Sequence, residues 1–215
     1  LSPADRSRRR PPFPALVLAL GLFVAAIANA PAADSATPPE ALVTAFHDQL
    51  IQVMKNAETL GYGGRYDKLA PAVTGAFHLR LMTQITAGAS WRKAKEAEKS
   101  ALVEAFSKVS IATYASRFDG YSGQRFETLA AKPGPQETQL VDTRLVNPGG
   151  ENVALTYVTK LIDGGWRIID VVLDGGISEL AVRRSEYRRV LKSDGIEGLI
   201  AMLNGKARAM RGKAG

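Results

Sequence analysis

The chain has 215 residues, no cysteine, two histidines, and 28 Lys plus Arg against 21 Asp plus Glu, a formal net charge of +7. Without cysteine there is no disulfide and no thiol nucleophile. Residues 33–205 hold twenty cations and twenty anions, so the excess charge sits at the two ends and marks no nucleic-acid surface. No basic helix interleaved with aromatics occurs.

Arg6, Arg8, Arg9 and Arg10 precede an uncharged apolar run from Ala15 to Ile27, and Ala28, Ala30, Ala32 and Ala33 follow it. Cationic, then apolar, then small is the order of a secretory signal peptide, placed at residues 1–32. Ala30-Pro31-Ala32 is preferred over Ala28-Asn29-Ala30 as its cleavage site. The apolar run falls short of the ~20 residues a spanning helix needs. Pro11 and Pro12 argue against a twin-arginine reading of Arg8-Arg9. Residues 33–205 suit a single domain with a sizeable core. Residues 206–215 add Lys206, Arg208, Arg211 and Lys213 without an acid. This basic tail reads as a frayed end, or as a contact for anionic lipid headgroups.

From Pro38-Pro39 to Leu60, the residues Leu42, Phe46, Leu50, Val53, Met54 and Ala57 recur in three- and four-residue steps. They predict one helix, stopped by Gly61. Tyr66, Leu69 and Val73 predict a short helix, and Phe77, Leu81, Met82 and Ile85 another, ending at Gly88. A long amphipathic helix follows from Trp91 or Lys93 through Leu102, Phe106, Val109 and Tyr114 to Phe118, with charged opening turns exposed.

The second half reads as four strands: Phe126–Ala130, Gln139–Val146, Asn152–Ile162 and Gly165–Leu173. Pro133-Gly134-Pro135, Asn147-Pro148-Gly149-Gly150 and Asp163-Gly164-Gly165 separate them. Each joint is too short for a crossover helix, so the strands pair antiparallel as a meander. In the third strand Val153, Leu155, Tyr157 and Leu161 share a face. In the fourth, Trp166, Ile168 and Val172 occupy one face and Ile169, Val171 and Leu173 the other. A strand apolar on both faces implies cover on both. Ser178 then opens a helix carrying Leu180, Val182, Tyr187, Val190 and Leu191, and a shorter one carries Ile196, Leu199, Ile200 and Leu203. The expected class is α+β: N-terminal helices and two C-terminal helices packed on a curved four-stranded antiparallel sheet.

Catalytic signatures are sparse. His47 and His78 lie in helical patterns with no metal-ligand spacing and read as surface or boundary histidines. Gly61-Tyr62-Gly63-Gly64 lacks the lysine and the preceding strand of a phosphate loop and reads as a turn. No GxSxG is present. Asp170, within an apolar strand, is expected to be satisfied by an arginine or by backbone donors, an ion pair with Arg144 or Arg188 being preferred, or else to be poised for chemistry. Asp174 reads as a turn residue.

Trp166, Asp170-Val171, Gly176 with Ser178, Tyr187-Arg188, and Gly195 leading to Leu199 and Leu203 resemble the C-terminal signature of the MlaC family, the toluene-tolerance proteins. Gly61 to Val73, Phe77, Met82, Trp91 and Tyr114 to Phe126 resemble its hopanoid-associated HpnM branch. The likeness spans roughly residues 39–206, with Ile177 standing where the family usually has valine. It implies a periplasmic lipid carrier with no catalysis, metal or cofactor. Phospholipid is the family's general cargo and a hopanoid the branch's candidate, exchanged with inner- and outer-membrane lipid-transport complexes. Moving a sixteen-carbon chain through water exposes on the order of 13 kcal/mol of apolar surface, which demands a lined container.

The apolar pocket is therefore expected between helices and sheet, lined by Phe77, Leu81, Met82, Ile85, Phe106, Tyr114, Phe118, Leu155, Tyr157 and Ile168. Each of these alone reads more readily as core filling, and only the family resemblance favours a cavity. Arg183, Arg184, Arg188 and Arg65 are candidates for meeting a phosphate at the mouth, or are solvated helix arginines. Two other readings stand beside the carrier. One is a nuclear-transport-factor-like pocket isomerase or hydrolase using Asp170. The other is an adaptor of a membrane complex with a filled core.

Overall fold

The apolar spacing of the first half folds into five helices. The computed structural model describes residues 37–174 and 176–213, so the expected signal peptide lies outside the described residues. Helix α1 (Pro39–Lys55) starts on Pro39, whose fixed φ and missing N–H suit a first turn. It buries Val43, Phe46, His47, Leu50, Val53 and Met54. It ends at Asn56, a turn earlier than its periodicity predicts, and α2 (Ala57–Ala76) begins immediately. Gly61 breaks the helical path within α2, so that two helical stretches meet at a kink there: its φ of 56° and ψ of −175° are non-helical and lie where a side chain is strained. Helix α3 (Leu79–Ala87) follows a two-residue extended joint, with the His78 ring accepting a hydrogen bond from the Leu81 N–H at 3.0 Å. The expected long helix is divided. Trp91 is buried on the short α4 (Ala89–Lys93), and α5 (Glu96–Arg117) starts afresh, the Glu98 carboxylate accepting from the Lys95 N–H at 2.7 Å.

The meander forms as the turn residues require. Strands β1 (Arg125–Pro133), β2 (Thr138–Val146), β3 (Val153–Ile162) and β4 (Gly165–Leu173) pair antiparallel in sequence order. Asp163 and Gly164, with φ of 51° and 78°, make the two-residue hairpin between β3 and β4. A fifth strand, β5 (Ile177–Ser178), was not expected. It pairs with Val172 and Leu173 where the chain doubles back from the turn after β4.

The parity of β4 also differs from expectation. Between Val158↔Asp170 and Thr159↔Ile168 the register shifts by one, a bulge that inserts Ile169. Ile168 and Val171 therefore both face the helices and both are buried, while Trp166, Ile169 and Val172 are only half-buried. The sheet has one covered face, carrying Val141, Thr143, Tyr157, Thr159, Ile168 and Val171. Its other face carries Asp142, Arg144, Ala154, Thr156 and Lys160, none of them buried. Leu161, aligned with the apolar face of β3, lies beyond that cover and is exposed.

Helices α1, α2, α3 and α6 (Glu179–Ser193) contact the sheet, and α5 packs against α2, α3 and α7 (Gly195–Lys213). Helix α7 runs unbroken past residue 205, and Ala207 and Met210 pack against the core, so this stretch is not a frayed end. Among the described residues no helix is long and apolar enough to cross a membrane.

Candidate functional site

An apolar cavity lies where the α2–α3 joint, α5, α6 and the covered face of the sheet converge. Val73, Phe77, Leu79 and Met82 come from the joint, Ser110 and Tyr114 from α5, and Phe118 from its end. Leu155, Tyr157, Val171 and Leu173 come from β3 and β4, and Leu180 from α6. The joint is pinned to the sheet at this place, because the His78 N–H donates to the Ile168 carbonyl at 2.9 Å. Aromatic rings form the deep wall. Phe46 meets Phe77 and Tyr114 edge-on at 5.2 and 5.3 Å, and Tyr114 stacks on Phe118 at 5.8 Å. Burial pushes the phenols of Tyr114 and Tyr157 up, so both remain neutral.

The outlet is polar. Arg117, Glu179 and Arg183 complete the cavity lining and also line an adjoining open groove between α5, α6 and α7. Arg117 and Glu179 form an ion pair across the outlet at 3.7 Å. Arg183 donates to the Ser110 Oγ at 3.1 Å and lies over the Phe106 ring at 5.2 Å. The enclosed space is about 100 Å³, inside a cleft of about 730 Å³ counted out to open solvent. A 150 Å³ hole accommodates roughly one benzene ring, and drug-sized ligands occupy pockets of about 300–1,000 Å³. An acyl chain enters only if a wall moves.

Of the sequence-predicted pocket residues, Phe77, Met82, Tyr114, Phe118, Leu155 and Tyr157 are brought together on this cavity. Leu81 and Ile85, half-buried on α3, do not line it. Phe106 and Ile168 are fully buried in the core beside it: Phe106 sits beneath Arg183, and Ile168 is bridged to Phe77. Sequence reasoning missed the outlet pair. Arg117 and Glu179 are 62 positions apart and meet only in the folded chain, one from the last turn of α5 and the other from the first turn of α6.

The arginine candidates separate into three kinds. Arg183 reaches the outlet, and Arg184 and Arg188 are exposed. Arg65 is buried and structural, donating to the carbonyls of Ala115 at 2.9 Å and Ala57 at 3.1 Å. It closes the last turn of α5, where carbonyls lack helical partners.

Asp170 is satisfied by a serine and by backbone donors rather than by the arginine preferred for it. Its carboxylate accepts from the Ser178 hydroxyl at 2.5 Å, the Leu180 N–H at 3.0 Å and the Val171 N–H at 2.8 Å. Ser178 in turn accepts from the Ala181 N–H at 2.9 Å. No arginine is involved: Arg144 lies 4.0 Å from Glu127, and Arg188 forms no ion pair among the described residues. The carboxylate caps the first turn of α6, where unpaired N–H groups and the helix dipole favour an anion. It does not line the cavity.

His47 is a buried core residue rather than a surface or boundary one. It is 3% exposed, its Nε2 lies 2.9 Å from the Tyr157 hydroxyl, and its ring stacks on Phe126 at 3.8 Å. Desolvation lowers its pKa from 6.5 to about 3, so the ring is neutral. Its Nδ1 has no hydrogen-bond partner. A proton on Nε2, donated to Tyr157, leaves only a lone pair facing the apolar wall, the cheaper of the two tautomers. Among the described residues no three His, Asp or Glu converge where a metal could bind.

The family described as MlaC protein matches residues 44–205. No curated protein sequence matches the chain. Among solved structures it is similar to a phospholipid-binding protein from Ralstonia solanacearum determined in complex with a phospholipid. The TM-score is 0.71 at 19% identity, covering 81% of this chain and 99% of that one. At that identity the likeness is one of fold.

Proposed function

This chain belongs to the MlaC family, and from that premise we propose that it is a periplasmic lipid carrier, exported by a cleavable signal peptide at residues 1–32. Residues 33–205 hold the apolar body of a phospholipid or a hopanoid, and residues 206–215 are a basic tail, of which 206–213 continue the last helix. The carrier exchanges its cargo between inner- and outer-membrane complexes and performs no chemistry.

The observation that carries this reading is the apolar cavity between helices and sheet, with its polar outlet at Arg117, Glu179 and Arg183. A core built only for stability is close-packed, and a hole in it sacrifices dispersion contacts. A hole walled by Phe77, Met82, Tyr114, Phe118, Leu155 and Tyr157 is a place where a lipid tail starts to enter. Met82 can repack around an irregular chain. A non-carrying adaptor requires no such space. An enzyme built on Asp170 would need that carboxylate within reach of a bound ligand, and it is engaged elsewhere as the cap of α6.

Native mass spectrometry of the protein purified from its own periplasm, followed by organic extraction, tests the reading. We expect about one lipid per chain, whose skeleton distinguishes phospholipid from hopanoid. Repeated recovery of empty protein that also takes up no lipid from vesicles overturns it.

A further inference from the structure

Both acids of α6 are engaged by other helices, while four of its cations face solvent without such a partner. Glu179 pairs with Arg117 of α5, and Glu186 with Lys206 of α7. Arg184, Arg188 and Lys192, spaced one helical turn apart, form a row along one exposed flank, and Arg189 lies beside them. None of these four forms an ion pair among the described residues. The row borders an open groove of about 390 Å³ whose far wall, residues 86–90, contributes no carboxylate. Like charges four residues apart repel along a helix, so folding stability gives no reason for the row. At the other end of α6, Ile177 and Val182 are each 53% exposed. They lie beside Glu179, Leu180 and Arg183 of the cavity lining.

We propose that the exposed face of α6, with Ile177 at its start, is the surface by which this protein docks on an anionic phospholipid bilayer. Its purpose rests on the carrier reading, because docking there brings the outlet against the source or destination of the cargo. An open row of cations on a convex helix matches the diffuse negative potential of a membrane, where each nearby cation contributes independently. An acidic protein segment is better held by cations on facing walls of a socket, and here the three stand on one wall of an open groove whose other wall, residues 86–90, carries none. The two exposed apolar side chains suit the headgroup–acyl boundary, where a few buried methyl groups add to electrostatic attraction.

Vesicle flotation of the purified protein tests this. We expect flotation with phosphatidylcholine vesicles in which a third of the lipid is phosphatidylglycerol. We expect none with phosphatidylcholine alone, and a steep loss as salt is raised. The triple variant Arg184→Gln, Arg188→Gln, Lys192→Gln should lower the partition coefficient on the order of 100-fold. Val182→Asp should lower it further, while native mass spectrometry finds each variant's lipid load unchanged. Equal binding to both vesicle types, no binding to either, or wild-type flotation of the triple variant overturns the proposal. So does a variant that floats normally but no longer captures an acidic protein partner. Protein that floats in this salt-dependent manner yet never carries lipid sinks the carrier reading and leaves the docking surface standing.

Discussion

Helices α5 and α6 wall the same cavity, yet they are held in place by different forces. In its 22 residues α5 buries Leu102, Ala105, Phe106, Val109, Ser110, Ile111, Ala112 and Ala115, and it is clasped by α2, α3 and α7. In its 15 residues α6 buries only Leu180 and Tyr187. It packs against α3, α7 and β4, and is further held by its first turn, tied to β4 through Asp170 and Ser178, and by ion pairs to α5 and α7. Burial of many apolar side chains is lost only on global unfolding, whereas a few polar ties at a helix end open locally and often. We therefore expect any growth of the 100 Å³ cavity to come from displacement of α6, against α5 and the sheet.

The largest expected contrast comes from truncating the fixed wall. Phe106→Ala, at a site with 0% exposure, should cost about 3–5 kcal/mol in urea unfolding. Val182→Ala on the outer side of α6 should stay within about 0.5 kcal/mol. Comparable losses at both sites would abolish the distinction.

Acid attacks the fixed wall next. Folded His47 stays neutral down to about pH 3, whereas in the unfolded chain it protonates near 6.5. The stability associated with this group is present above pH 6.5 and is lost as pH falls toward 3, because only the unfolded state takes up the proton. At about pH 5 the loss is about 2 kcal/mol. His47→Gln should flatten that part of the pH profile, and an unchanged slope in the variant would assign acid sensitivity elsewhere.

Asp170→Ala probes the tie of the movable wall. Removing the acceptor of the Ser178 hydroxyl and the Leu180 N–H should cost about 1–2 kcal/mol. Hydrogen exchange should speed up in the first turns of α6 while the centre of α5 keeps its protection. Uniform acceleration in both helices would mean that α6 does not open by itself. The smallest thermodynamic effect belongs to Glu179→Gln, which removes a largely solvent-screened pair with Arg117. Stability should change by less than about 1 kcal/mol. Uptake of a fluorescent lipid should nevertheless accelerate, since the outlet has lost its crossbar.

The strands were legible because proline and glycine mark every joint, and Asp163-Gly164 has the residue types that a tight hairpin demands. The aromatic wall was legible in part, since Tyr114 follows the regular helical spacing of α5 and Phe118 ends it, whereas Phe77 lies in the extended joint between α2 and α3. The face assignment of β4 failed for a physical reason: strict alternation assumes an unbroken ladder, and the insertion of Ile169 reverses it midway. The end of α1 failed because Ala57 continues its apolar period although the backbone turns at Asn56. The burial of His47 followed the same logic in reverse. Sequence spacing places it next to Phe46 on α1, but only the arrival of Tyr157 and Phe126 from the sheet supplies its partners. Asp170 and Ser178 lie eight positions apart on either side of a turn, a pairing that a charge-matching rule, searching for arginine, passes over.

The small pieces on either flank of the sheet have a consequence for solubility. Strand β4 would leave a long apolar margin open to pairing with other chains. The His78 N–H occupies the carbonyl of Ile168, and β5 occupies Val172 and Leu173. On the opposite margin, β1 is interrupted at Leu129 by a register shift and finishes with Lys132 and Pro133. Both borders are thus poor templates for an incoming strand, which works against edge-to-edge aggregation.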